Sequence, residues 1–310
     1  MNTIKEIALN GILVATIAHG AIGLSLVWDK VLLQKKGTQN LVSYVFWLGA
    51  ISIFGLVLIA FGFKLPPWHV AALGFSAGVL DLIASYFYYW ALKSGEASEE
   101  LAAMGGFGPV ATALIAAALL NNSLGKGRTG FIIMTLGGFC MFFSEKTPLK
   151  QMLPKILIAS GAFGLMNVLQ KIVFNETNFV SGYVFFTLGT FAGSMALLIP
   201  PSWRRQVFEK SDSADAPKNR FWYFVNRFLA GVGSFLVVYA ISRTSPELVQ
   251  AISGVRYAIV FVGAYAVTKW RPSWFQEDFR TGPLLIKAAG TGLVIAGLVI
   301  SALQGGTGAQ

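Results

Sequence analysis

Apolar residues along this chain fall into ten long runs separated by short polar breaks. The runs cover roughly 8–32, 41–62, 68–92, 100–120, 129–144, 154–174, 180–199, 222–242, 247–268 and 284–303. A membrane-spanning helix needs about 20 apolar residues, so each run reads as one such helix. The breaks carry turn and helix-end signals, among them Lys64-Leu65-Pro66-Pro67, Lys93-Ser94-Gly95-Glu96, Asn121-Asn122-Ser123-Leu124-Gly125, Pro200-Pro201-Ser202-Trp203 and Arg271-Pro272-Ser273. Trp68, Trp203, Trp222, Trp270 and Trp274 lie at or near run ends, where an amphipathic ring sits at headgroup level. The longest polar stretch, Trp203 to Arg220, is expected to be a solvated loop, and the Gly- and Gln-containing tail a disordered one. The first run starts after Lys5 and continues to about Trp28. That length predicts a first membrane helix and not a cleaved leader.

An internal repeat organises the runs. Residues 20–30 read GAIGLSLVWDK and residues 161–171 read GAFGLMNVLQK. At a constant offset of 141 the identities are Gly20/Gly161, Ala21/Ala162, Gly23/Gly164, Leu24/Leu165, Val27/Val168 and Lys30/Lys171. A polar break follows each copy, and then a second apolar run opens with VSYVFWLG or VSGYVFFTLG. Glu100-Leu101 aligns with Glu247-Leu248, which sets Pro109 against Arg256. The halves divide at about residue 150, giving 1–150 and 151–310. Five spans per half is an odd number, so the second half enters the membrane from the opposite side. The expected fold is an all-α polytopic membrane protein of ten transmembrane helices in two inverted five-helix repeats, an arrangement that puts a substrate site between the halves near the midplane.

Composition agrees. Of the 310 residues 55% are hydrophobic and 12% charged, against about 25% charged in a soluble domain. The 34 glycines suit closely packed membrane helices. Cys140 is the only cysteine, and His19 and His69 are the only histidines, which argues against a disulfide framework or a metal site. No P-loop, GxSxG or metal-ligand spacing is present, so neither an enzyme nor a cofactor is expected, and transport would run on an ion or substrate gradient. The net charge of +10 lies in interhelical breaks, where lipid headgroups and orientation explain it better than nucleic acid. Lys5, Lys64, Lys126, Arg128, Lys171 and Arg243 fall on the side of the termini, and the other basic residues, Arg256 apart, on the opposite side. The positive-inside rule then puts both termini outside the cytoplasm.

Tyr89-Trp90-Ala91-Leu92-Lys93, the stretch from Leu101 through Pro109-Val110-Ala111-Thr112-Ala113-Leu114-Ile115, and the Gly-rich Thr135-Leu136-Gly137-Gly138-Phe139 resemble the EamA unit of the drug/metabolite transporter superfamily. The resemblance covers both halves and rests on small and apolar residues, so it specifies fold better than substrate. It implies a multi-pass transporter with both termini inside, the reverse of the charge count. The sequence departs from the family at Asn121-Asn122-Ser123-Leu124-Gly125, at Lys269-Trp270-Arg271, and at Arg256, where a proline is expected.

Residues three and four apart share a helix face. His19, Gly23, Leu26 and Lys30 form one stripe, and Ser160, Gly164, Asn167 and Lys171 its counterpart. These stripes either face a central cavity, with Asn167 and His19 touching substrate, or are packing faces whose lysines snorkel to the interface. Gly74, Gly78, Asp81, Ser85 and Tyr88 share a face of the third run. A carboxylate inside a span costs about 2.5–3.5 kcal/mol on insertion scales. Asp81 is therefore either a proton-coupling acid or the fixed partner of an interior arginine. Arg256, about nine residues into the ninth run with Ser253 on its face, keeps its charge and needs an acid or an anionic ligand. It either binds a substrate carboxylate or phosphate or closes an ion pair with Asp81 or Glu247. Arg227 reads as interfacial, Glu247 and Gln250 as helix-end polar groups, and Glu96, Glu99 and Glu100 as solvated. The aromatic cluster Tyr86, Tyr88, Tyr89 and Trp90 reads as packing.

The substrate-binding candidates are Arg256, Asn167, Ser85, Tyr88, His19 and Ser253, with Asp81 for proton coupling. The expected partners are the lipid bilayer and a small-molecule substrate, anionic or zwitterionic, with no nucleic acid. The protein is expected in the cell (plasma or inner) membrane as monomer or homodimer. A flippase for a lipid-linked sugar or phosphate, and a membrane scaffold with no transported ligand, are the alternatives.

Overall fold

The computed structural model describes residues 2–120, 128–140, 149–244, 246, 249 and 252–305. The break at 121–127, Glu247, Gln250 and the tail 306–310 lie outside the described residues. Of the described residues 84% are helical and none is in a strand. The helices are α1 (Asn2–Leu32), α2 (Leu41–Ile51), α3 (Trp68–Ser94), α4 (Ala97–Leu119), α5 (Arg128–Cys140), α6 (Leu149–Glu176), α7 (Phe179–Ala196), α8 (Pro201–Phe208), α9 (Ala216–Arg243), α10 (Gly254–Trp270) and α11 (Thr281–Gly305). A 3₁₀ helix, Ser52–Phe61, carries α2 on to Gly62, whose φ of 96° ends it in the left-handed region open to glycine.

Over its described residues each long apolar run is largely helical, since a backbone in lipid must satisfy its own hydrogen bonds. Among the described residues seven segments are long and apolar enough to cross a membrane: Leu41–Phe61, Trp68–Ser94, Ala97–Leu119, Lys150–Glu176, Phe179–Ala196, Ala216–Arg243 and Thr281–Ser301. Of the other expected spans, α5 and α10 run to 13 and 17 residues. Phe54, Phe228 and Leu285 are 74%, 75% and 65% exposed; water would not tolerate such a surface and lipid does.

The second helix of each half opens on the same sequence, Asn-x-Val-Ser. The Asn40 side chain accepts from the Ser43 N–H at 3.0 Å, and Asn178 accepts from the Ser181 N–H at 2.8 Å. Each supplies an acceptor to an amide that has none within its helix. The packing is also paired between halves. Helix α1 lies against α9 and α10, as α6 lies against α3 and α4; α5 packs on α11, and α3 on α7.

Glycine decides how close some of these helices come. A Cβ on Gly78 of α3 would meet the Phe186 carbonyl oxygen at 2.0 Å, and one on Gly189 of α7 would meet that of Phe75 at 1.9 Å. The two backbones touch, as small residues allow in membrane bundles. On α1, a Cβ at Gly23 would come within 3.2 Å of the Arg256 Cα, so the repeat glycine lets the start of α10 approach α1.

One expectation about the breaks fails. The stretch Trp203 to Arg220 is not a simple loop: it contains most of α8 and the opening of α9. Pro201 opens α8 after Pro200, at a position where the N–H that proline lacks would have no partner in any case, and Val207 anchors the helix against Val42 and Phe46.

Candidate functional site

Arg256 does not lie mid-helix. Pro246 and Val249 are helical, Ile252 and Ser253 form a turn, and α10 begins at Gly254, so Arg256 sits in its first turn. The Arg256 N–H donates to the Ser253 carbonyl at 2.9 Å. A helix start next to a guanidinium adds its own preference for negative charge. One Arg256 Nη donates to the Tyr257 hydroxyl at 2.8 Å, and the guanidinium lies 5.0 Å from that ring's centroid. Its Nε is buried without a hydrogen-bond partner. No carboxylate lies within ion-pair distance of it among the described residues.

His19 and Tyr88 face Arg256 electrostatically from α1 and α3. His19 is buried, and its Nε2 is 2.9 Å from the Val249 carbonyl while Nδ1 has no partner. Tyr88 Oη and Ser253 Oγ are likewise buried and unpartnered. Arg256, Ser253, His19 and Tyr88 thus come together from three helices with hydrogen-bonding atoms unspent. Asn167 is buried on α6 with an unpartnered Oδ1, and Ser85 is buried on α3; no described contact joins either to Arg256. Asp81 stands apart. It has no hydrogen bond or ion pair among the described residues, and its electrostatic neighbour is Tyr183 of α7. The alternative pairing of Asp81 with Arg256 is not formed.

Two charged groups read from sequence as surface features are buried. Lys30 is not snorkelling: it is 5% exposed and its Nζ donates to the carbonyls of Leu92, at 2.6 Å, and Gly95. Arg227 is not interfacial: its guanidinium pairs with Asp29, which is fully buried, and donates to Tyr89 Oη at 2.7 Å. Asp29 also accepts from the hydroxyls of Tyr44 and Tyr89 and the amide of Asn226, and the guanidinium lies 5.4–5.5 Å from the rings of Tyr44, Tyr89 and Tyr223. Asp29 sits inside the repeated sequence, where the other copy has Gln170; that amide is buried with neither polar atom partnered. The position next to an invariant lysine in one copy only was the available signal.

Glu96, Glu99 and Glu100 are also buried, not solvated. The segment 271–280 folds over them. Glu277 accepts from the N–H of Ala97 at 2.7 Å and of Ser98, and from the Ser98 hydroxyl, which caps the start of α4. Glu96 accepts from the Asp278 N–H at 2.9 Å. The fully buried amine of Lys287 binds Glu96 and lies 3.6 Å from Glu99 and 3.5 Å from Glu277. Burial holds the Glu277 carboxyl above the usual range, and Lys287 pulls it part of the way back. Beside this cluster is a half-open cavity of about 420 Å³, lined by Lys30, Lys35, Lys93, Gly95, Glu96 and Trp274 among others. No group of His, Cys, Asp or Glu that could hold a metal occurs among the described residues.

The decisive comparison concerns the first half. Residues 9–144 match the model of the EamA-like transporter family. The first half is thus similar to an EamA-like unit. That family belongs to the drug/metabolite transporter superfamily, so a multi-pass membrane transporter of this type, with a small-molecule substrate, is the function the match supports. The EamA-like unit contains α1 to α5, and so His19, Asp81, Ser85 and Tyr88, while Arg256 lies beyond it. No curated protein sequence matches the chain significantly. A solved structure titled "Crystal structure of protein" shares the fold, with a TM-score of 0.58 at 16% identity over 98% of this chain and 97% of that one.

Proposed function

We propose that the protein is a secondary transporter of a small anionic or zwitterionic metabolite, such as an amino acid or other organic acid, in the cell membrane. It works by alternating access between two inverted repeats, 1–150 and 151–310, as monomer or homodimer. The observation that carries this is Arg256. A buried guanidinium that cannot lose its charge needs a negative partner, and none of the described side chains provides one. A substrate carboxylate or phosphate supplies it, held bidentately at the start of α10, where a broken helix offers its positive end to anions. His19, Tyr88 and Ser253 add donors and acceptors around it, Asn167 and Ser85 extend the site, and Asp81 couples a proton. The matched packing of α1 on α9 and α10 and of α6 on α3 and α4 supports exchange of roles between the halves. A pure scaffold would be favoured by Asp81 and Arg256 satisfying each other, and they do not.

The test is thermal unfolding of the purified protein against a panel of small metabolites, with Arg256→Gln in parallel. A ligand at a hundred times its Kd adds about 2.7 kcal/mol of stability. Stabilisation by anionic or zwitterionic solutes that vanishes in the variant supports the reading. Stabilisation that survives Arg256→Gln, or none from any soluble compound, rejects it.

A further inference from the structure

The start of α4 holds a carboxylate with a different environment from its neighbours. Glu96 and Glu99 share Lys287. Glu100 shares nothing. It is 2% exposed, and both of its carboxylate oxygens are buried without a hydrogen-bond partner. The charged groups that act on it are Lys30 from α1, Lys155 from α6 and Glu99 on its own helix, with Glu96, Glu277 and Lys287 next around Lys30. Neither lysine pairs with it. The Lys30 amine is committed to the carbonyls of Leu92 and Gly95, and the Lys155 amine to Ser94 Oγ at 3.1 Å and to the Trp90 ring. A carboxylate deprived of water and of partners is far costlier than the neutral acid. The geometry therefore accepts Glu100 with its proton on.

Access to that proton is short and closable. A Cβ on Gly95 would meet Glu100 Oε1 at 2.1 Å, and Gly95 also lines the 420 Å³ cavity. One glycine therefore lies between the carboxyl and the vestibule. The segment 271–280, from the second half, covers the place by capping α4 through Glu277 and by receiving Glu96 at the Asp278 N–H.

We propose that Glu100 is a proton-binding site, occupied while the 271–280 segment closes over the start of α4 and emptied when that face opens. On opening, water enters past Gly95, the carboxyl O–H breaks, the proton passes to water and the carboxylate becomes hydrated. This rests on the reading of the chain as an alternating-access transporter, and it assigns a proton site separate from Asp81. It also makes acid conditions favour the closed face.

The test reads the proton without any solute, so its outcome is independent of the role of Arg256. Infrared spectra of the full-length protein in lipid vesicles are compared for the wild type, Glu100→Gln and Asp81→Asn. A protonated-carboxyl band at pH 7 that Glu100→Gln loses and Asp81→Asn retains supports the site; a band that Glu100→Gln leaves unchanged overturns it. Should the glutamine variant not fold, Glu100→Asp replaces it: the band must move, and a band left in place overturns the assignment. Hydrogen exchange of the 94–100 amides, corrected for intrinsic rates, tests the link to closure. Several-fold greater protection at pH 6 than at pH 8 is expected in the wild type and a markedly smaller difference in Glu100→Gln, where Glu277 still titrates at this face. The same pH response in both overturns the link.

Discussion

Asp29 and Arg227 lie 198 residues apart in the chain and meet in an ion pair closed off from solvent, one side chain on α1 and the other on α9. Three tyrosine rings surround the guanidinium, and Tyr44, Tyr89 and Asn226 complete the carboxylate. Desolvation makes such a pair a weak source of net stability, but removing one member leaves a bare buried charge, at about 3–5 kcal/mol. Arg227→Met and Asp29→Leu are each expected to destabilise by that amount. The double variant is expected to cost less than either alone, and a double-mutant cycle from thermal unfolding measures the difference.

The Asn-x-Val-Ser caps give a smaller effect at two equivalent places. Asn40→Ala and Asn178→Ala should each lower stability by about 1 kcal/mol. Because the two caps lie in different halves, their costs should add. Unfolding of the two single variants and the double variant in one detergent checks both points.

Gly78 and Gly189 mark the backbone contact of α3 with α7. Alanine at either position has nowhere to put its methyl, since the obstacle is a carbonyl oxygen of the facing helix. Each is expected to lower the melting temperature sharply or to abolish folding. Gly231, on α9, has nothing within 4 Å of an added Cβ, so Gly231→Ala should gain up to about 1 kcal/mol from helix propensity alone. The opposite signs are read from melting curves.

Glu277 gives a pH dependence of known sign. Its folded pKa is raised by burial, so the folded state binds more protons than the unfolded one above about pH 4.3. Its contribution is full below that pH and is lost as pH rises through the folded value. The melting temperature should fall with rising pH, more steeply in Lys287→Met, where the amine no longer offsets burial, and less steeply in Glu277→Gln. Melting curves from pH 4.5 to 8 separate the three.

The helices were legible because lipid imposes length and apolarity together. The run read at 41–62 is the helical stretch 41–61, and the run at 68–92 is α3. His19, Tyr88, Ser253 and Arg256 were singled out as candidates from helical spacing and from the cost of an interior arginine. What hydropathy could not give was the third dimension of the ends. Lys30, Glu100 and Arg227 sit near run boundaries, where a one-dimensional reading sees water. In the fold, α9 brings Arg227 onto Asp29, and the 271–280 segment roofs the glutamates. The helix break that moves Arg256 to the first turn of α10 is marked only by Ser253-Gly254, too short a signal to interrupt the apolar run at 247–268.

The repeat is not symmetric at its charged position, and that sets a preference between states. Asp29 has its arginine, while the amide of Gln170 occupies the matching place with no partner at all. If the halves are inverted, these two positions stand at opposite ends of the bundle. Parting the helices at one end then breaks a buried ion pair, and parting them at the other breaks nothing comparable. Each 1.4 kcal/mol of that difference is a factor of ten in population. A molecule assembled from two near-copies of one unit would so acquire a resting posture, idling with one particular door shut until a ligand shifts the balance.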